Sequence, residues 1–213
     1  NYPFSIIHIV GVELVANNLH YSASLTGEPF LFYESRQVAR LKLAGLSDKE
    51  IRMEIKKHNL FQYATEKSIP KRSNTALKRI NALDEVMLTY LAEKPSATAR
   101  LINLYAITKT NRLMLELVSE VIGEKFASNM PLEKKDLNEF FLMKREQSQE
   151  VAAWKDLTIK KLKQVLLRIL KESGILDESD SGRLHRISLE PEVVGHFAES
   201  GELHLLKFMG INT

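Results

Sequence analysis

The sequence predicts a mainly α-helical protein of two helical domains. The N-terminal half carries a helix-turn-helix-like element, and the C-terminal half reads as a winged helix-turn-helix with a small β-hairpin. Three observations support this. Apolar residues recur at helical spacing from residue 34 to about residue 173, with a few Pro and Gly residues as punctuation. The stretch "LSDKEI" marks a helix start by its capping residues. The stretch "DLTIKKLKQVLLRILKESGIL", residues 156–176, is a basic amphipathic helix placed directly before a hairpin signal.

A first helix over residues 34–44 ends at Gly45, which is free to take the left-handed conformation common after a helix. Ser47 and Glu50 have the spacing of a capping box, and Leu46 and Ile51 that of a hydrophobic staple, so a second helix starts at Asp48 and runs to about His58. After the turn-like "NLFQYATEKS" a third helix begins near Ser68, with Pro70 tolerated in its first turn. Ile69, Leu77, Ile80, Leu83, Met87 and Leu91 share one side of this helix, while Lys71, Thr75 and Lys78 fall opposite, flanked by Arg72 and Arg79. Two more helices are expected over residues 97–108 and 112–126. "ASNMPL" then breaks the pattern, which sets the expected divisions at 1–20 (an N-terminal extension), 21–130 and 131–213.

The second half reads as a helix over residues 134–145, a short one around 151–154, and the basic helix over about 158–173. On a helical wheel Ile159, Leu162, Val165, Leu166, Ile169 and Leu170 cover an arc of about 140°, with Lys160, Lys161, Arg168 and Lys171 on the other side. Gly174 ends the helix, and "ILDESDSGRLHRISLE" offers two short β-type segments around an Asp/Ser/Gly turn. The tail, residues 191–213, is expected to form one or two short helices covering an edge. No low-complexity segment and no repeat of solenoid period is present.

The chain has 213 residues, 44% hydrophobic and 27% charged, which are ordinary globular values. It has no cysteine, so disulfides and thiolate metal sites are excluded, as a reducing cytoplasm allows. The apolar run "FSIIHIVGVELVA" is broken by His8 and Glu13 and falls short of the ~20 residues needed to span a bilayer. It lacks the basic leader and cleavage site of a signal peptide and is expected to be a strand or short helix packed on the body. A cytoplasmic protein without membrane association is therefore expected. Net charge is +3, unevenly distributed: −2 over residues 1–33, +5 over 34–94, 0 over 95–154, +4 over 155–173 and −4 over 174–213. Two separate positive blocks suit a polyanionic partner better than the total suggests.

Signatures of catalysis are missing. The sequence contains no G-x-G-x-x-G, G-x-x-x-x-G-K-[ST], H-E-x-x-H or G-x-S-x-G. His8, His20, His58, His185, His196 and His204 are scattered without ligand spacing, and the pairs Asp84/Glu85 and Glu116/Glu120 read as solvated faces or i,i+4 partners. No enzyme activity, catalytic residue, metal, cofactor or small-molecule substrate is expected.

The basic faces have four possible partners: DNA, an anionic membrane, an acidic protein, or water. In a helix-turn-helix the third helix presents its leading side chains to the groove, and here Lys67, Ser68, Lys71, Arg72 and Thr75 lead. The second basic helix is followed by a turn and a segment with Arg183, His185 and Arg186, an order in which helix and wing contact phosphates together. Its apolar face is aliphatic, whereas a membrane-surface helix usually presents Trp or Phe. The expected partner is therefore double-stranded DNA. The candidate phosphate contacts are Lys67, Lys71, Arg72, Lys78 and Arg79 in the first half, and Lys160, Lys161, Lys163, Lys171, Arg183 and Arg186 in the second. Lys and Arg dominate over Asn and Gln, so binding is expected to be weakly specific and steeply salt-dependent. The rival is a helical adaptor whose basic faces dock acidic proteins, with "VVGHFAESGELHLLKFMG" as a further docking segment.

Three stretches, "YSASLTGEPFLFYESRQVARLKLAGLSDKEI", "NLFQYATEKSIPKR" and "VAAWKDLTIKKLKQVLLRILKESGIL", in this order, resemble the BrxA family of BREX (bacteriophage exclusion) defence systems in bacteria. The resemblance runs from about Tyr21 into the C-terminal region. It implies a small, mostly helical DNA-binding protein with helix-turn-helix elements, acting beside the methyltransferase, ATPase and phosphatase-like components of its system to restrict phage. It brings no catalytic motif. Members have been labelled inner-membrane proteins, a label that the hydropathy of this sequence argues against.

Overall fold

The computed structural model describes Ala16 and residues 18–211. The strand or short helix expected over residues 4–16 lies outside these residues except for Ala16, which is buried. Packing divides the chain into two compact units, one of residues 28–110 and the other of the described residues up to Gly27 together with those from Asn111 onward.

In the 28–110 unit, α1 (Phe32–Leu43) is followed by α2 (Asp48–His58), α3 (Ile69–Ile80), α4 (Glu85–Glu93) and α5 (Ser96–Thr110). The capping box is present as expected: the Ser47 hydroxyl accepts from the Glu50 amide at 3.4 Å and Glu50 Oε2 accepts from the Ser47 amide at 2.8 Å. At the other end of α2, Asn59 takes a left-handed conformation, and its side chain bonds both the amide and the carbonyl of Tyr63, which closes the expected turn. The long third helix is in fact two. Asp84 Oδ1 accepts from the Met87 amide at 2.8 Å and starts α4, a cap that the continuous apolar phase from Ile69 to Leu91 conceals. Val38, Ile51, Ile55, Leu77, Ile80 and Leu91 are buried in the core, as is α5 along most of its length.

In the second unit a 3₁₀ turn (Ala23–Gly27) precedes α6 (Arg112–Glu116), a π-helical segment (Leu117–Ile122) and α7 (Gly123–Ser128). Then come α8 (Lys134–Gln147), α9 (Gln149–Ala152), α10 (Asp156–Ser173), α11 (Pro191–Glu199) and α12 (Leu203–Phe208). Residues 111–130 group with the C-terminal elements in one compact unit, whereas the sequence reading divides the chain near residue 130. The Leu132 amide donates to the Gly182 carbonyl at 2.8 Å and Arg186 Nη2 to the Phe126 carbonyl at 2.9 Å. The expected hairpin is reduced to one antiparallel bridge, Leu176 with Leu184, flanked by Asp177 N to Arg183 O at 2.9 Å and His185 N to Ile175 O at 2.8 Å. Its tip does not extend the ladder because side chains satisfy the backbone there: the Ser179 amide donates to Asp177 Oδ1, the Ser181 amide to Ser179 Oγ and the Arg183 amide to Ser181 Oγ.

A buried polar network lies where the π-helical segment meets α6 and α8. Lys144, 2% exposed, donates to Glu120 Oε1 at 2.6 Å and to Gln147 Oε1 at 3.0 Å, and pairs with Glu116 Oε2 at 3.0 Å. Glu116 also accepts from Arg112 Nε at 2.8 Å and from the Tyr21 hydroxyl, and the Arg112 guanidinium sits 4.4 Å from the Tyr21 ring centroid. Burial, with the Glu116 carboxylate beside it, pushes the Tyr21 phenol well above its ordinary pKa. Each member has a counter-charge or hydrogen bond, so the network works as a structural tie between the segment entering the unit, α6 and α8.

Two measurements check these assignments. Lys144→Met leaves Glu116 buried without its ammonium partner and is expected to lower unfolding free energy by about 3 kcal/mol in denaturant titration. Gly182 has φ +72, and a Cβ there would sit 2.2 Å from the Leu132 carbonyl oxygen, whereas Gly45 has φ +86 and open space. Gly45→Ala is expected to cost about 1 kcal/mol and Gly182→Ala at least about 2 kcal/mol, because only the second adds a clash with backbone.

Candidate nucleic-acid interface

The side chains of α10 divide cleanly between two faces. Ile159, Leu162, Leu166, Ile169, Leu170 and Ser173 are buried, and Leu157, Lys160, Lys161, Gln164 and Arg168 are exposed. Gly174 ends the helix at φ +85. A three-residue turn, 153–155, joins α9 to α10, and Arg145 of α8 clamps it by donating to the Trp154 carbonyl at 3.0 Å and to Asp156 Oδ1 at 2.6 Å. Lys160, Lys161 and Arg168 form no side-chain hydrogen bond or ion pair among the described residues.

The remaining candidates of this unit have work inside it. Lys163 Nζ donates to Asn138 Oδ1 at 2.6 Å and lies 5.6 Å from the Phe141 ring centroid, joining α10 to α8. Partial burial, helped by nearby Arg145, holds its pKa below the usual lysine range. Lys171 Nζ donates to the Glu178 carbonyl at 2.8 Å and reaches Asp180 at 3.5 Å, which holds the loop after α10. Arg186 is exposed overall but ties its segment to α7 through the Phe126 carbonyl and ring. Arg183 is exposed with an uncommitted side chain. It shares with Arg186 and Lys125 the wall of an open pocket of about 530 Å³. Lys125 was not foreseen, and its ammonium pairs with Asp136 at 2.8 Å.

In the 28–110 unit Lys67, Lys71 and Lys78 are exposed and Arg72 is half-buried. Arg79 does not belong with them. It is 2% exposed and donates from Nη1 to the Phe30 carbonyl at 2.8 Å and from Nη2 to the Glu28 carbonyl at 3.0 Å. Burial pushes its guanidinium pKa down to about 10, so it stays charged at neutral pH. Thr75 is buried as well and hydrogen-bonds the Lys71 carbonyl. The solvent face of α3 is thus Lys71, Asn74 and Lys78. Sequence reading missed the cations of α2, Lys49, Arg52 and Lys56, although their i, i+3, i+7 spacing already placed them on one helical face.

Among the described residues no group of three or more His, Cys, Asp or Glu is placed to hold a metal ion, and no helix is long and apolar enough to cross a membrane. These features define a mainly helical protein of two units, each presenting uncommitted cations on a helical face.

The chain belongs to the BrxA family, whose model matches residues 19–201. It is 34% identical over 184 residues to the BREX protein BrxA of Bacillus cereus (strain H3081.97), covering 85% of this chain and 92% of that protein. It is 23% identical over 202 residues to the BREX protein BrxA of Escherichia coli O9:H4 (strain HS), covering 93% and 94%. A crystal structure of an uncharacterized protein from Magnetospirillum magneticum superposes with a TM-score of 0.76 at 22% identity, covering 89% of this chain and 97% of that one, which shows a shared fold.

Replacing Arg79 separates structural from surface cations. Arg79→Leu takes the donor from the Glu28 carbonyl and one of two donors from the Phe30 carbonyl, which keeps the Asn103 amide, and is expected to lower unfolding free energy by about 2 kcal/mol in denaturant titration.

Proposed function

We propose that this protein is a non-enzymatic, cytoplasmic double-stranded DNA-binding component of BREX anti-phage defence, using phosphate contacts with weak sequence preference. The observation that carries the reading is the outward face of α10. Lys160, Lys161 and Arg168 are exposed there and uncommitted among the described residues, and they span about 12 Å at the rise of an α-helix. Cations needed for the fold are held by partners; these are held by none of the described residues, and a row of such charges gains by releasing counterions from a polyanion.

The order of elements supports it. α8, α9, a three-residue turn, α10 and then the Leu176–Leu184 bridge follow the sequence of a winged helix-turn-helix, in which the helix after the turn meets the duplex and the wing adds a backbone contact. Arg183 is the wing cation in this reading. Lys67, Lys71 and Lys78 on α3 supply further phosphate contacts from the other unit. Lys163, Lys171 and Arg186 then act mainly by holding the α10 surface and the following loop in shape. The names of the BrxA relatives place them in BREX, and other components of such a system are the expected neighbours at DNA.

Titration against random-sequence duplex DNA at several salt concentrations tests this. The logarithm of the affinity is expected to fall linearly with the logarithm of salt. Lys160→Ala combined with Lys161→Ala should reduce the steepness by about two units and Arg183→Ala by about one. Lys163→Ala should change stability more than slope. No salt-dependent binding at micromolar protein would overturn the proposal.

A further inference from the structure

The 28–110 unit presents cation rows on two neighbouring helices. Side-chain bonds join α2 and α3: Asn81 Nδ2, just past the end of α3, donates to Asp48 Oδ2 at the start of α2 at 2.8 Å, and Arg52 Nε donates to Asn74 Oδ1 at 2.9 Å. Lys49, Arg52 and Lys56 occupy the outward stripe of α2, and Lys71, Asn74 and Lys78 that of α3, and all six are exposed. Positions seven apart lie about 10 Å from each other along a helix.

The neighbouring acids are occupied. Asp48 pairs with Lys42 at 2.7 Å and accepts from Asn81, and these partners hold its carboxyl below the usual range. Glu50 is taken up by the capping box, and Glu54 lies 3.4 Å from His58. Lys49, Lys56, Lys71 and Lys78 have no side-chain partner among the described residues. Arg52 differs from them. Its Nε is held by Asn74 and its Nη1 by the Asp48 carbonyl at 3.0 Å, which leaves Nη2 without a partner among the described residues and the guanidinium fixed before any ligand arrives.

We infer that the α2–α3 face is a phosphate-binding site for duplex DNA, with Arg52 as its pre-organised central contact and Asn74 as the residue that positions Arg52. The inference rests on the DNA-binding reading and extends it to residues of α2. Protein partners favour an apolar, charge-depleted centre, whereas five cations and an amide suit a polyanion. Two packed helices are too wide to enter a major groove of about 12 Å together, so the face lies across phosphates and reads no bases.

The full chain with Lys49, Arg52 and Lys56 all replaced by Ala, titrated against random-sequence duplex beside the wild type, gives the test. The salt slope is expected to lose two to three units. Asn74→Ala and Arg52→Lys, which keep the net charge, should each weaken binding several-fold with the slope unchanged. All these positions are exposed, and unchanged unfolding midpoints check that the fold is intact. Wild-type binding with an unchanged slope in the triple variant overturns this inference and leaves the α10 proposal standing. Wild-type affinity in Asn74→Ala overturns the positioning role. A wild type that shows no salt-dependent binding overturns both readings.

Discussion

A buried charge must be hydrogen-bonded or paired, and that constraint organises both units. In the 28–110 unit the Arg79 guanidinium and the Asn103 amide both donate to the Phe30 carbonyl, and Arg79 also takes the Glu28 carbonyl. They fix the chain immediately before α1, where Leu31 stands in a left-handed conformation (φ 51) that costs a non-glycine residue about 1 kcal/mol. In the other unit Lys144 does the equivalent for Glu116 and Glu120 across the π-helical segment. Within that segment the Ser119 hydroxyl donates to the Leu115 carbonyl at 2.9 Å and the Glu116 carbonyl at 3.3 Å.

The same constraint sorts the cations by role. Those with partners inside the protein, Arg79, Lys144, Arg145 and Lys163, bind elements of the fold to one another. Lys160, Lys161 and Arg168 on α10 have no such partner among the described residues. Arg52 belongs to both groups, since internal bonds hold its guanidinium while leaving donors free. Net charge and helical wheels treat all of these residues alike. Their partners distinguish them.

The separation also bears on how the molecule tolerates change. A surface lysine row is electrostatically additive to a first approximation, because each charge acts on the ligand with little help from its neighbours. The buried pairs are coupled, so removing one member leaves the other unpaired in a low-dielectric setting. The basic surfaces can therefore vary without disturbing the scaffold that presents them.

The sequence by itself determined the helical class, the start of α2, the end of α10 and the apolar face of α10, because capping chemistry and a 3.6-residue period are local properties of the chain. It also carried the likeness to the BrxA family, spread over three stretches. Tertiary structure decided the rest. The split of the third helix depends on the Asp84 cap, the grouping of residues 111–130 with the C-terminal elements on long-range bonds such as Arg186 to the Phe126 carbonyl, and the collapse of the hairpin to one bridge on serine side chains at its tip. Whether an arginine serves the fold or the surface depends on what packs over it. Arg79 and Arg52 look alike in sequence, and only their neighbours bury the one and expose the other.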